Sequence, residues 1–280
     1  MTSAIVKTSA KGFELTLTIP WNDVQKIYAE VVYEAVENSE ITCFRKGKAP
    51  RELVLKQLDK GKIYGEVVKR ILPQAYSDAV VKNSLSPIIA PKVTILAAEE
   101  NKDWQFKAVA CERPDVDLAN YKDEIKGITA KKSIVLLGDK DKPAAKKDEL
   151  VGEVLQKLLA VCQMEVPPPL LESEVSRQLA NLVDDVRGAG LTLEQYLASK
   201  NITSEQLQAN FRSSAESSLK LEFILEAAAE DLKIEVPDSD VEAILDKESD
   251  QEKKKALRNQ FEAIRSLLRR EKTLTKLTNL

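Results

Sequence analysis

The segment Cys43-Phe44-Arg45-Lys46-Gly47-Lys48-Ala49-Pro50 puts one aromatic, three cations and a glycine between two stretches of helical periodicity. Residues 41–70 hold nine Lys or Arg against three acids, a net +6 in a chain whose overall charge is −3. A cationic tip of this kind attracts polyanions, and RNA phosphate is the commonest. Arg45 can form two parallel hydrogen bonds to a phosphate or carboxylate, while Lys46 and Lys48 act as point charges. Phe44 can serve as an apolar anchor on a protein partner. Gly47 allows a positive φ that would fix how these side chains are presented. The alternative reading is a solvated turn between helices.

Other chemistries find little support. The chain has no histidine, which excludes His-assisted nucleophiles and the commonest metal ligand. Cys43, Cys111 and Cys162 are odd in number and far apart. They suggest neither a disulfide framework nor a metal site, and they fit a cytoplasmic protein. Cys111 and Cys162 lie in apolar periodic segments and read as core residues. There is no P-loop, GxGxxG or GxSxG. No apolar run is long enough to span a bilayer, and the N-terminus lacks the pattern of a signal peptide. No catalytic residue, metal site or cofactor is therefore expected.

The elements that would position the tip can be read from periodicity. Phe13, Leu15, Leu17 and Ile19 alternate with polar residues and predict a strand, with Ala4-Ile5-Val6 as its partner. Val24, Ile27, Tyr28, Val31 and Val32 predict a helix capped at Asn22 and ending near Asn38. Pro50 suits the first turn of the next helix. Its stripe from Ile63 to Val80 contains Pro73, which predicts a kink. Strands are expected at 92–97 and from Trp104 to Ala110. Residues 1–113 thus form an α+β domain whose helical pair reaches out to the basic turn. Residues 114–147, with KGITAKK and GDKDKPAAKKDE, read as a linker with a short strand at 134–137. Residues 148–280 read as all helical. Gly188 and Gly190 close one helix, Thr192 caps a short one, and Thr203 with Gln206 forms a capping box. Residues 250–277 read as a single last helix, and 250–280 carry nine cations against four acids.

The sequence FRKGKAP resembles the ribosome-binding signature of trigger factor, the bacterial nascent-chain chaperone family, whose pattern is Gly-Phe-Arg-x-Gly-x-x-Pro. Phe44, Arg45, Gly47 and Pro50 match at the right spacing, and Cys43 stands where the family has Gly. MEVPPPLLESEVSRQLANL, residues 164–182, is similar to the family's entry into its helical arms. The resemblance implies an α+β N-terminal ribosome-binding domain followed by an extended all-α chaperone (arm) domain. It implies docking through Phe44, Arg45, Lys46, Gly47, Lys48 and Pro50 onto a ribosomal protein and rRNA of the large subunit at the tunnel exit. The helical domain would shield unfolded nascent polypeptides. Leu171, Val175, Leu182, Leu207, Phe211, Leu219 and Phe223 are the candidates for that contact, although an apolar stripe is also how a helix packs into a core. Self-association off the ribosome is a further admitted relation.

The family also carries a prolyl isomerase domain in mid-chain. Only the 34 residues 114–147 stand in that place, with Tyr121 their one aromatic. So short a segment cannot enclose such a core and pocket, and the expectation is a chaperone that is not an enzyme. The rival readings are a prolyl isomerase of the same family and an RNA-binding protein using the basic 43–70 patch.

Overall fold

The computed structural model describes residues 2–38, 59–136, 143–246 and 251–280. It divides into two compact units. One comprises residues 1–113 with 167–170, and the other 114–166 with 171–280.

The first unit is built on an antiparallel sheet. β1 (Thr2–Lys7), β2 (Gly12–Ile19), β3 (Lys92–Ala97) and β4 (Trp104–Cys111) lie in the order β1-β2-β4-β3. The period-two pattern of β2 works as expected. Phe13, Leu15, Leu17 and Ile19 are all buried, opposite Ala110, Ala108, Phe106 and Trp104 of β4. Directly opposed residues share a face, so the two strands contribute one continuous apolar surface. Each such side chain contributes about 1.5–3 kcal/mol when fully buried.

Two helices cover that surface. α1 (Trp21–Asn38) contributes Val24, Val31 and Val32. α2 (Lys60–Lys82) contributes Ile63, Val67, Ile71, Ala75 and Ala79, a strict i, i+4 row. The start of α1 differs from expectation. Asn22 does not cap it. The Trp21 N–H instead donates to Asp103 Oδ1 at 2.9 Å, from a residue 82 positions away, which a local reading could not detect. α2 is capped by Asp59, whose Oδ1 accepts from the Gly61 N–H at 2.8 Å. It runs unbroken through Pro73, which sits on the exposed side of the helix.

The second unit is almost entirely helical. β5 (Val116–Asp117) and β6 (Gln163–Met164) make a two-residue antiparallel pair. The helices are α3 (Tyr121–Leu136), α4 (Pro143–Val161), α5 (Pro168–Gly188), α6 (Leu193–Lys200), α7 (Ser204–Asp231), α8 (Asp238–Leu245), α9 (Gln251–Arg258) and α10 (Phe261–Thr278).

The linker expected at 114–147 is corrected here. Its described part holds β5 and all of α3, and the strand expected at 134–137 is helical as far as Leu136. Tyr121 and Ile125 are buried in a core with Val154, Leu158, Ile224, Leu225, Ala228 and Leu277. The Tyr121 hydroxyl donates to Asp231 Oδ2 at 2.6 Å, and Lys122 Nζ pairs with the same oxygen at 2.6 Å. A Lys-rich composition masked an i, i+4 apolar pair whose partners are remote in sequence.

The single last helix expected over 250–277 is also corrected. It breaks at Asn259-Gln260 into α9 and α10. α10 is tied to the α8 region by Arg265 to Asp238, Lys272 to Asp240, and an Arg269 Nε–H donated to the Ile234 carbonyl at 3.1 Å. Among the described residues no helix is long and apolar enough to cross a membrane, and no cluster of metal-ligating side chains occurs.

Candidate functional site

Phe44, Arg45, Lys46, Gly47, Lys48 and Pro50 lie outside the described residues, as does Cys43. The described structure supplies the frame from which that segment leaves and to which it returns. Tyr28 and Tyr64 stack at 5.2 Å between ring centroids. Six residues further along each helix, Arg70 grips Glu34 through two parallel hydrogen bonds, Nη1 to Oε1 at 2.8 Å and Nη2 to Oε2 at 2.6 Å. Both contacts advance by about 9 Å of helix rise together. α1 and α2 therefore run in the same sense over this span.

The entry to α2 is fixed from the sheet. The Tyr64 hydroxyl donates to Glu100 Oε1 at 2.7 Å, and Lys60 Nζ reaches the same oxygen at 3.4 Å. Tyr64 also packs edge-on to Trp104, with centroids 5.6 Å apart. Burial and the Glu100 partner push the Tyr64 phenol above its ordinary range, while the Tyr64 and Lys60 contacts hold the Glu100 carboxyl below its own.

These contacts redistribute the charge counted from sequence. Of the four described cations in 41–70, Lys60 pairs with Glu100, Lys69 with Glu66 and Arg70 with Glu34, while Lys62 is exposed. Paired cations contribute little net field. By sequence alone, residues 45–56 add Arg45, Lys46, Lys48, Arg51 and Lys56 against Glu52.

The candidate polypeptide contacts in the second unit separate into two groups. Leu171, Leu207 and Leu219 are buried. Val175, Leu182, Phe211 and Phe223 are half-buried, and they lie on α5 and α7, whose stripes also hold half-buried Leu179 and Val183. Sequence reasoning passed over the exposed large apolar residues described in this unit, Leu191, Leu193 and Leu267. Leu191 and Leu193 flank the cap Thr192, where the chain turns at the surface. Leu267 and Leu268 are adjacent in α10, the first exposed and the second half-buried. Leu267 borders an open groove of about 440 Å³ between α7 and α10, with Leu225, Ala229 and Ala263, where Glu222 pairs with Arg270 at 3.3 Å.

The short helix α6 stands between two capping boxes. The Thr192 N–H donates to Gln195 Oε1 and the Gln195 N–H to Thr192 Oγ1, at 2.9 and 3.2 Å. Thr203 and Gln206 repeat the arrangement with the same distances. Gly190, with φ +75°, takes the left-handed conformation that closes α5. Cys111 and Cys162 are buried, and burial raises each thiol to about 11. Neither is a nucleophile at neutral pH.

A family model described as "Bacterial trigger factor protein (TF)" matches residues 1–142, and one described as "Bacterial trigger factor protein (TF) C-terminus" matches residues 131–279. The proteins named "Trigger factor" from Staphylococcus epidermidis and Staphylococcus aureus are each 30% identical over 122 residues, 44% of this chain. The chain spans only 28% of the length of these curated relatives. A solved structure described as "Promiscuous Substrate Recognition in Folding and Assembly Activities of the Trigger Factor Chaperone" matches all of this chain and 99% of its own. The TM-score is 0.67 at 13% identity, a likeness of fold. With one model covering half the chain and a second covering nearly all the rest, the chain belongs to the bacterial trigger factor family.

Proposed function

We propose that the chain is a ribosome-associated molecular chaperone of the cytoplasm that works without nucleotide. The reading is carried by one observation: the family match spans both units, and within its first part Phe44, Arg45, Gly47 and Pro50 keep the ribosome-binding signature apart from Cys43 at its leading Gly. Phe44, Arg45 and Lys46 would contact a ribosomal protein and rRNA at the tunnel exit, with Gly47, Lys48 and Pro50 shaping the segment. Half-buried Val175, Leu182, Phe211 and Phe223 would meet unfolded nascent chains through dispersed, adaptable apolar contacts that delay wrong pairing.

The chaperone is proposed to act without prolyl isomerase activity. The two family models overlap at 131–142, and Tyr121 and Ile125, just before that overlap, are buried in the helical core. Self-association off the ribosome is kept as a further partner relation of this reading.

The test is co-sedimentation with bacterial ribosomes at near-physiological salt, wild type against the folded triple variant Phe44→Ala/Arg45→Ala/Lys46→Ala. Wild type is expected with the large subunit and the variant in the supernatant. Equal pelleting of the two would remove the tip from the mechanism. Equal affinity for naked RNA and for ribosomes would favour a plain RNA-binding protein.

A further inference from the structure

Helix α8 is eight residues long, too short to hold its shape by propensity alone. Its N-cap, Pro237, makes no side-chain hydrogen bond to the first turn. The helix packs on α9 and α10, and its buried side chains are Val241 and Leu245, an i, i+4 pair. Among the described residues these two stand apart from the core of the unit, which holds Ile224, Leu225, Ala228 and Leu277.

Three ion pairs complete the attachment, and their signs are sorted. Asp238 and Asp240 of α8 pair with Arg265 and Lys272 of α10, and Asp246, at the end of α8, pairs with Lys254 of α9 at 2.8 Å. The acid is on the α8 side each time and the base on the other. All six side chains are partly exposed, so salt reaches every pair. Arg265 is shared: its Nη1 also reaches Glu262 of its own helix at 3.3 Å. Its Nε is buried with no hydrogen-bond partner among the described residues. An unpaired buried donor weakens the arrangement that holds it, and Glu262 keeps the guanidinium matched when Asp238 leaves. Before α8 the chain is fixed at Ile234. Its N–H donates to the Ala229 carbonyl at 2.8 Å and its carbonyl accepts from Arg269.

We infer that α8 is an electrostatic strap, which lifts as a unit on a pivot after Ile234 and in lifting presents Val241 and Leu245 to unfolded polypeptide. The use of this surface rests on the chaperone reading, while the motion does not. Each pair alone is weak, but three of one polarity are screened together. Local opening of this kind needs far less than global unfolding. Closed, the strap keeps two apolar side chains from water; open, it offers them, and apparent client affinity rises with the open fraction.

The test follows amide hydrogen exchange on the full chain at about 0.05 M and about 0.5 M NaCl, salt concentrations at which the screening length differs about threefold. Protection of the α8 amides is expected to fall about tenfold at the higher salt, while Ile224, Leu225 and Ala228 of α7 keep theirs. Arg265→Met/Lys272→Met leaves the sequence of α8 untouched and should show the low protection at both salts. At the lower salt this variant should bind a permanently unfolded chain, reduced and carboxymethylated lysozyme, about tenfold more tightly than wild type. Unchanged α7 protection verifies that the variant is folded. Protection of α8 that is indifferent to salt, or that the variant retains, overturns the inference. Equal client binding by the two proteins, with α8 loosened in the variant, also overturns it and leaves the chaperone reading standing. No client binding by either protein overturns both.

Discussion

Arg70 on α2 holds both carboxylate oxygens of Glu34 on α1, and this forked pair joins the helices on either side of the basic segment. Its hydrogen bonds hold the Glu34 carboxyl below its ordinary range. Both side chains are exposed, so the pair orients more than it stabilises. Arg70→Met is expected to leave ribosome co-sedimentation at the wild-type level, because its charge is already matched. Arg45→Ala is expected to reduce it. A loss of equal size in the two variants would mean that net charge alone does the docking.

The helical unit depends on residues that compose a Lys-rich, linker-like stretch. Ile125 is 0% exposed. Ile125→Ala should cost about 2–5 kcal/mol in urea unfolding of the helical unit. Lys126→Ala, one position along and exposed, should stay within about 0.5 kcal/mol of wild type. Equal effects of the two changes would show that α3 does not carry the core.

Thr203 caps α7 by accepting from the Gln206 N–H with its side-chain oxygen, and its own N–H donates to Gln206 Oε1 in return. Thr203→Ala should destabilise by about 0.5–2 kcal/mol, and Thr203→Ser should restore most of it. Amide exchange at Gln206 and Leu207 should quicken in the alanine variant and return in the serine one.

Hydrogen bonds from Lys122 and Tyr121 hold the Asp231 carboxyl below its ordinary value. Its contribution to stability is complete above the unfolded-state pKa and disappears as pH falls through the lower folded-state value. Asp231→Asn should lower the melting temperature at neutral pH. The gap between variant and wild type should close as the solution is taken below the ordinary Asp range. A gap that stays constant with pH would assign the effect to shape and not to charge.

What could be read from the chain depended on how far each determinant lay from its effect. β2 was legible because burying one face imposes a period of two on Phe13, Leu15, Leu17 and Ile19. The capping boxes were legible because donor and acceptor are three residues apart. The Trp21–Asp103 contact was not, being 82 residues apart, and neither was the Tyr121–Asp231 bond, 110 residues apart. The common direction of α1 and α2 depends on the path of the chain between them and leaves no trace in either stripe. The split between Leu207, buried, and Phe211, half-buried, depends on which helices lie alongside, since both occupy one stripe of α7.

Helix α6 contains no buried residue, yet its boundaries are set locally, by the Thr192–Gln195 box at its start and the left-handed Asn201 at its end. Its shape is written locally, in Thr192, Gln195, Thr203, Gln206 and the left-handed Asn201. Leu193 on it is exposed, while Tyr196 and Leu197 are half-buried. Such an element can exchange its displayed side chains without refolding what surrounds it. For a protein engineer it is a socket: an eight-residue cassette to be rewritten while the framework on either side stays as it is.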